Sequence, residues 1–143
     1  MQRRITLLRH GHADEHADDF ARTLSVAGRA AAVRAGEALG RAGWRPSYVV
    51  SSAAPRALAT AELAAKASGF SGGIVAERGL YLASDTQCLA ALRQAPAGAA
   101  SVLLVAHNPG LTKLAHDLCG HPSDLSPAEY ASIELDLDAW SEL

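Results

Sequence analysis

Three short apolar runs punctuate the chain: ITLL at residues 5–8, YVV at 48–50 and SVLLVA at 101–106. Each stops at side chains with chemistry to offer, Arg9-His10 after the first, Ser51-Ser52 after the second and His107-Asn108 after the third. Near-continuous apolar runs of this length predict strands buried on both faces. A helical pattern follows each one. In SVAGRAAAVRAGEALGRAGW, Ser25 is placed to cap a helix whose buried stripe would be Val26, Ala30, Val33 and Leu39. PRALATAELAAKASGF starts on Pro55, suited to a first helical position, and ends near Gly69; PGLTKLAHDLCG repeats the scheme from Pro109 to Gly120. Between these blocks the pattern predicts a short strand near Ile74 to Ala76 and a helix from about Thr86 to Gln94. YASIELDLDAW, alternating at Ile133, Leu135 and Leu137, reads as an edge strand, and DLSPAE at 124–129 as a turn entering a short helix.

Strands alternating with helices predict an α/β fold, a three-layer α/β/α sandwich around a mainly parallel sheet. Ligands in open sheets of this kind bind outside the carboxyl ends of the strands. Arg9, His10, Ser52 and His107 fall there, and Arg56, about one turn into the second helix, is long enough to reach back. Much of this cluster is cationic or a hydrogen-bond donor, which points to an anionic ligand.

Length and charge narrow the classes. A chain of 143 residues, 49% hydrophobic, is expected to form one domain over 1–143 with a real core. A formal charge of −2 gives no reason to expect nucleic acid or an anionic membrane as partner. The start, MQRRITLLRHG, has too short an apolar run for a signal peptide or a span, so the expected location is cytoplasmic. A monomer is the default. The alanine and arginine richness fits a bacterial GC-rich source. Cys88 and Cys119 are not in CxxC spacing and read as buried free thiols.

RHGHADEH, residues 9–16, raises the question of a metal, since it approaches the HxHxDH motif of the metallo-β-lactamase fold. One residue is inserted before His16, the remaining ligands and sheets of that fold are missing, and the permanent charge of Arg9 opposes a cation. The expectation is therefore no metal and no cofactor. A phosphate explains more residues: the planar forks of Arg9 and Arg56 match phosphoryl oxygens, His107 adds a third contact, and the neutral imidazole of His10 is a competent nucleophile. The flanking guanidinium groups favour that neutral form.

Arg9-His10-Gly11 at the end of the first strand resembles the RHG signature of the histidine phosphatase superfamily. SAAPRALAT at 52–60 is similar to its second block, S-x-x-x-R-A-x-x-T, and AHNP at 106–109 to its late histidine block. RTLSVAGR at 22–29 and LYLAS at 80–84 resemble the SixA-like branch, the phosphohistidine phosphatases. The resemblance runs along essentially the whole chain. It implies the phosphoglycerate mutase-like fold, His10 as the residue that becomes phosphorylated, and Arg9, Arg56 and His107 as the phosphate pocket. Gly11 would let the backbone pass close to the ligand, and Ser52 would cap a helix or bond the phosphate.

Superfamily members acting on esters use a carboxylic acid to protonate the leaving oxygen, and Glu77 and Asp85 are the candidates from the corresponding region. Asp14 and Asp18 lie on the loop after His10. An alkoxide needs such a donor more than the imidazole of a phosphohistidine does. The expected activity is thus a metal-independent phosphohistidine phosphatase, with a protein domain bearing phosphohistidine as its partner. The alternatives are a phosphatase for a small phosphate ester and a phospho-ligand-binding pseudoenzyme without turnover. The short stretch from Ala76 to Gln94 leaves little chain for a cap, which suits a substrate presented on a folded surface. Other residues have quieter readings: His12 and His16 as loop residues, His12 close enough to line the pocket; His116 and His121 on or after the last helix; Trp44 and Trp140 as packing. Ser51 and Ser52 lack the GxSxG elbow of a serine nucleophile.

Overall fold

The structure, a computed structural model describing residues 1–143, runs β1 (Gln2–Arg9), α1 (Val26–Arg41), β2 (Tyr48–Ser52), α2 (Pro55–Ser68), β3 (Ile74–Glu77), α3 (Asp85–Arg93), β4 (Ser101–Ala106), α4 (Gly110–Cys119) and β5 (Tyr130–Asp136). The five strands form one sheet in the order β3-β2-β4-β1-β5. The first four are parallel to their neighbours, and β5 closes one edge antiparallel to β1. The apolar strands β1 and β4 lie side by side in its interior, with Arg9 opposite Ala106. Arg9-His10 and His107 therefore leave the sheet next to each other.

Alternation along the strands feeds two cores. Ile5, Leu7, Val50, Val102 and Leu104 meet α3 and α4 on one face, whereas Leu8, Val49, Leu103 and Val105 meet α2 and Ala35 of α1 on the other. This is the expected α/β/α sandwich. No helix is long and apolar enough to cross a membrane.

The helix ends follow local chemistry. Ser25 accepts from Gly28 N–H to cap α1, Pro55 opens α2, and Gly69 and Gly120 end α2 and α4 in the left-handed region, at φ 98° and 68°. Of the expected buried stripe of α1, Leu39 is buried and Val33 half-buried, but the other two positions are not. Val26 is 86% exposed and Ala30 faces solvent, while Gly28, Ala32, Ala35, Gly36 and Leu39 are buried. The cause is the closeness of α2: a Cβ on Gly36 would stand 2.2 Å from the carbonyl oxygen of Ala64. Only small residues fit that seam, and overpacking it costs about 1–3 kcal/mol.

Two other expectations are corrected. Cys88 is buried, but Cys119 is exposed, on the outer side of α4; both thiols are free. Residues 124–129 form a turn without a helix. Their backbone groups are used elsewhere: Leu125 O accepts from Arg9 and Asn108, and Ala128, at φ 61°, donates to the carbonyls of both Arg9 and His10. With these groups spent on Arg9, His10 and Asn108, the segment keeps a single local turn bond, Glu129 N–H to Ser126 O.

Candidate active site

Arg9, His10, Arg56 and His107, spread over the chain, line one cavity of about 260 Å³ at the carboxyl end of the sheet. His12, Asp19, Arg22, Leu82, Asn108 and Pro127 complete most of its wall. The imidazoles of His10 and His107 face each other with ring centroids 5.0 Å apart.

His10 is held by its backbone and oriented by its neighbour. Its N–H donates to Ala106 O, and its Nδ1 lies 2.8 Å from Gly11 O. A carbonyl only accepts, so in the neutral ring the proton sits on Nδ1 and Nε2 keeps its lone pair. Burial, with Arg56, Arg9 and Arg22 nearby, lowers the His10 pKa to about 4. The ring is thus neutral at physiological pH.

His107, 1% exposed, has its pKa lowered to about 3, first by burial and then by His10 and Arg56. Its Nε2 shares a 2.7 Å hydrogen bond with the hydroxyl of Ser52, which also accepts from Ala54 N–H at 3.2 Å. When Ser52 donates to this nitrogen, the ring proton of His107 sits on Nδ1. That atom is buried and has no partner. Arg9 Nε and Arg56 Nε are in the same condition, and these three are the only buried side-chain nitrogen or oxygen atoms left without one. All belong to residues lining the one cavity. Buried polar groups are nearly always satisfied, so two guanidinium N–H donors left over here, with His107 Nδ1 a third in the tautomer that a donating Ser52 sets, point to an anion's oxygens as their partners.

Arg56 is the most tightly held of these cations. It is 2% exposed; Nη1 donates to Asp19 O at 2.7 Å and Nη2 to Asp19 Oδ2 at 3.1 Å. The Tyr81 hydroxyl and Arg22 Nη1 also donate to the Asp19 carboxylate. Led by the tyrosine bond, these contacts lower the Asp19 pKa to about 2. Tyr81 meets the His107 ring edge-on at 5.4 Å. Asp19 and Arg56 so form a bracket on the cavity wall, held by the Tyr81 hydroxyl.

The model of the histidine phosphatase superfamily (branch 1) matches residues 5–80. The chain belongs to the histidine phosphatase superfamily. Solved structures agree in fold. A protein of Agrobacterium tumefaciens assigned as the phosphohistidine phosphatase SixA is 29% identical, with 91% of this chain and 90% of that one covered and a TM-score of 0.80. One from Nakamurella multipartitia with the same assignment is 26% identical, over 99% of this chain and 89% of that one, with a TM-score of 0.81. The protein histidine phosphatase SixA complexed with tungstate shares the fold at 24% identity, covering 90% and 86%, TM-score 0.81. A search of curated protein sequences finds no match.

Within this histidine phosphatase several residues stand where the pattern of the chain did not put them. Glu77 and Asp85, the expected acid candidates, do not line the cavity. Glu77 is exposed at the end of edge strand β3, and Asp85, at the start of α3, is paired with Lys113 at 2.8 Å. The carboxylate that does reach the cavity is Asp19. Ser52 is fully buried beneath His107 and orients it, so it is not a wall of the site. Gly11 is needed for a different reason than ligand approach: its N–H donates to Thr60 Oγ1, and a Cβ there would meet Gly28 O at 2.8 Å. It lets the start of α1 press against the loop after His10.

The histidines of RHGHADEH diverge. His10 Nδ1 turns to Gly11 O, His12 Nδ1 to the Ser25 hydroxyl at 2.9 Å, and His16 Nδ1 accepts from Asp18 N–H at 2.9 Å. No three His, Cys, Asp or Glu side chains are grouped as metal ligands would be. Arg22 and Asp19 were the residues that periodicity missed. They sit on a polar loop and the short 3-10 turn Asp19–Ala21, where no hydrophobic period marks position.

Proposed function

We propose that the protein is a metal-independent phosphohistidine phosphatase acting on phosphohistidine carried by another protein, as a single domain over residues 1–143. The observation that carries this reading is that Arg9, Arg56 and His107, whose Nε, Nε and Nδ1 atoms have no partner within the protein, share one cavity wall with His10, whose Nδ1 is engaged by Gly11 O so that Nε2 is left for attack. The two arginines and His107 bind the phosphoryl oxygens and stabilise the charge that develops in the transition state. His10 Nε2 attacks phosphorus in line, the substrate's P–N bond breaks, and the departing imidazole nitrogen takes a proton from solvent. Water then attacks the phosphorus on His10, releasing inorganic phosphate and restoring the ring. The Nδ1–H bond to Gly11 O supports the positive charge that the phosphorylated ring carries.

Support for a P–N rather than a P–O substrate comes from Asp19. It is the one carboxylate in the cavity wall, and its bonds from Tyr81, Arg56 and Arg22 favour its ionised form, which makes it a poor proton donor to an alkoxide. An imidazole leaving group makes a smaller demand. Two of the similar structures, at 29% and 26% identity, bear the SixA assignment.

The test is phosphate release from a histidine-phosphorylated protein domain and from p-nitrophenyl phosphate in parallel, with EDTA present. Release from phosphohistidine that persists in EDTA, is lost in His10→Ala and leaves trappable phosphate on His10 supports the proposal. Faster turnover of the ester points to the small-ester phosphatase, and binding without turnover to a phospho-ligand-binding protein.

A further inference from the structure

Resting on the phosphohistidine reading above, we propose that Leu82 selects protein-borne phosphohistidine over small phosphorylated molecules, by apolar contact with the surface around the substrate's histidine. Leu82 stands in the left-handed region at φ 49° and is 56% exposed. Both features work against the folded state: a branched side chain is crowded at positive φ, and an apolar one in water gains nothing from burial. Glycine or asparagine would suit this backbone better. The fold therefore gives no reason for leucine here, and an outlier of this kind at a site is grounds for a functional hypothesis.

Its position supplies the reason. Leu82 is the one large apolar residue in the wall of the anion cavity, whose other side chains are mostly charged or polar. It also lines an adjoining depression of about 380 Å³, bordered by Ala83, Ser84, Pro109 and Lys113. It thus forms the crest between the chamber that takes the phosphoryl group and a shallow surface beyond it. A phosphoryl group held by Arg9, Arg56 and His107 would leave the rest of a small substrate in solvent. A histidine on a folded protein instead brings neighbouring side chains over the rim, where a half-exposed leucine is placed to be covered. The segment is anchored on both sides. The Arg78–Leu80 turn buries Leu80 in the core, and Ser84 caps α3 with a reciprocal bond to Gln87. Leu82 is presented from a fixed frame, which limits the entropy lost on contact.

The experiment compares wild type, Leu82→Gly, Leu82→Asn, both suited to positive φ, and, as a surface control, Val75→Ser on edge strand β3. The probes are a folded protein domain phosphorylated on one surface histidine and free phosphohistidine, with p-nitrophenyl phosphate added for wild type. Leu82→Gly suits the backbone, so a loss of function in it is not a loss of folding. Both Leu82 variants are expected to raise KM for the protein substrate about five- to tenfold, with kcat within about twofold, as for truncation of an apolar contact at an interface. The loss on free phosphohistidine is expected to be at least about threefold smaller than on the protein substrate, and Val75→Ser is expected to match wild type on both probes. An unchanged KM for the protein, or a parallel loss on both probes, overturns the role of Leu82. Wild type that cleaves p-nitrophenyl phosphate but neither phosphohistidine probe overturns the reading on which it rests, and is told apart by that pattern.

Discussion

Two buried arginines at opposite ends of the sheet show what distinguishes a structural cation from a binding one. Arg3, 1% exposed, donates to the carbonyls of Ala97, Ala99, Leu137 and Asp138 and lies over the Trp140 ring at 5.1 Å. Arg56, 2% exposed, leaves Nε without a partner and places its outer nitrogens on the backbone and carboxylate of one residue, Asp19. Burial is the same for both. The difference is that the donors of Arg3 are spent inside the protein, tying the chain's last residues to the loop before β4, while those of Arg56 are partly in reserve beside a cavity.

Substitution should separate the two most sharply. Arg56→Ala is expected to lower kcat/KM by about 10²–10³, as loss of a preorganised donor does, with a smaller loss of unfolding free energy than Arg3→Met. Arg3→Met should keep the folded enzyme's kcat/KM within about twofold yet cost about 3 kcal/mol or more, because four carbonyls lose a charged donor. Steady-state kinetics and urea unfolding on both variants check this. If Arg56→Ala unfolds the protein and Arg3→Met silences it, the contrast is wrong.

Acid tests the cavity end by another route. With pKa values lowered to about 4 and about 3, His10 and His107 remain neutral at pH 5.5, where an ordinary imidazole is about nine-tenths protonated. Ring 15N chemical shifts report this directly, and titration of either ring near 6.5 would contradict the described packing. The stability consequence has a definite sign. Between pH 6.5 and 4 the unfolded chain binds more protons than the folded one at these positions, so acidification through that window destabilises the fold.

A smaller effect is expected at the bracket. Asp19 is half exposed, so its pairing with Arg56 is screened, but it still competes with an incoming anion for the same guanidinium. Asp19→Asn should tighten inorganic phosphate or tungstate binding by about two- to fivefold, measured by calorimetry. Weaker binding would mean that Asp19 chiefly positions Arg56. The smallest effects belong to Glu77→Gln and Asp85→Asn, both expected within about twofold of wild-type kcat/KM, because neither carboxylate lines the cavity. A tenfold loss in either would restore it as a proton donor.

The α/β/α layering, the parallel sheet and the meeting of Arg9, His10, Arg56 and His107 were legible in the amino-acid sequence. The reason is physical: buried strands write themselves as apolar runs, and a parallel sheet with helical crossovers brings the ends of those runs to one edge. Chain-local chemistry also determined the cap at Ser25 and the helix ends at Gly69 and Gly120. What only the tertiary structure decided depends on distances between segments far apart in the chain. The choice of Asp19 over Glu77 and Asp85, the place of Ser52 beneath His107, and the small-residue seam of α1 on Ala64 are of this kind. So is the difference between Arg3 and Arg56. Both residues are the same letter, and only the folded chain determines which carbonyls come near enough to use up their donors.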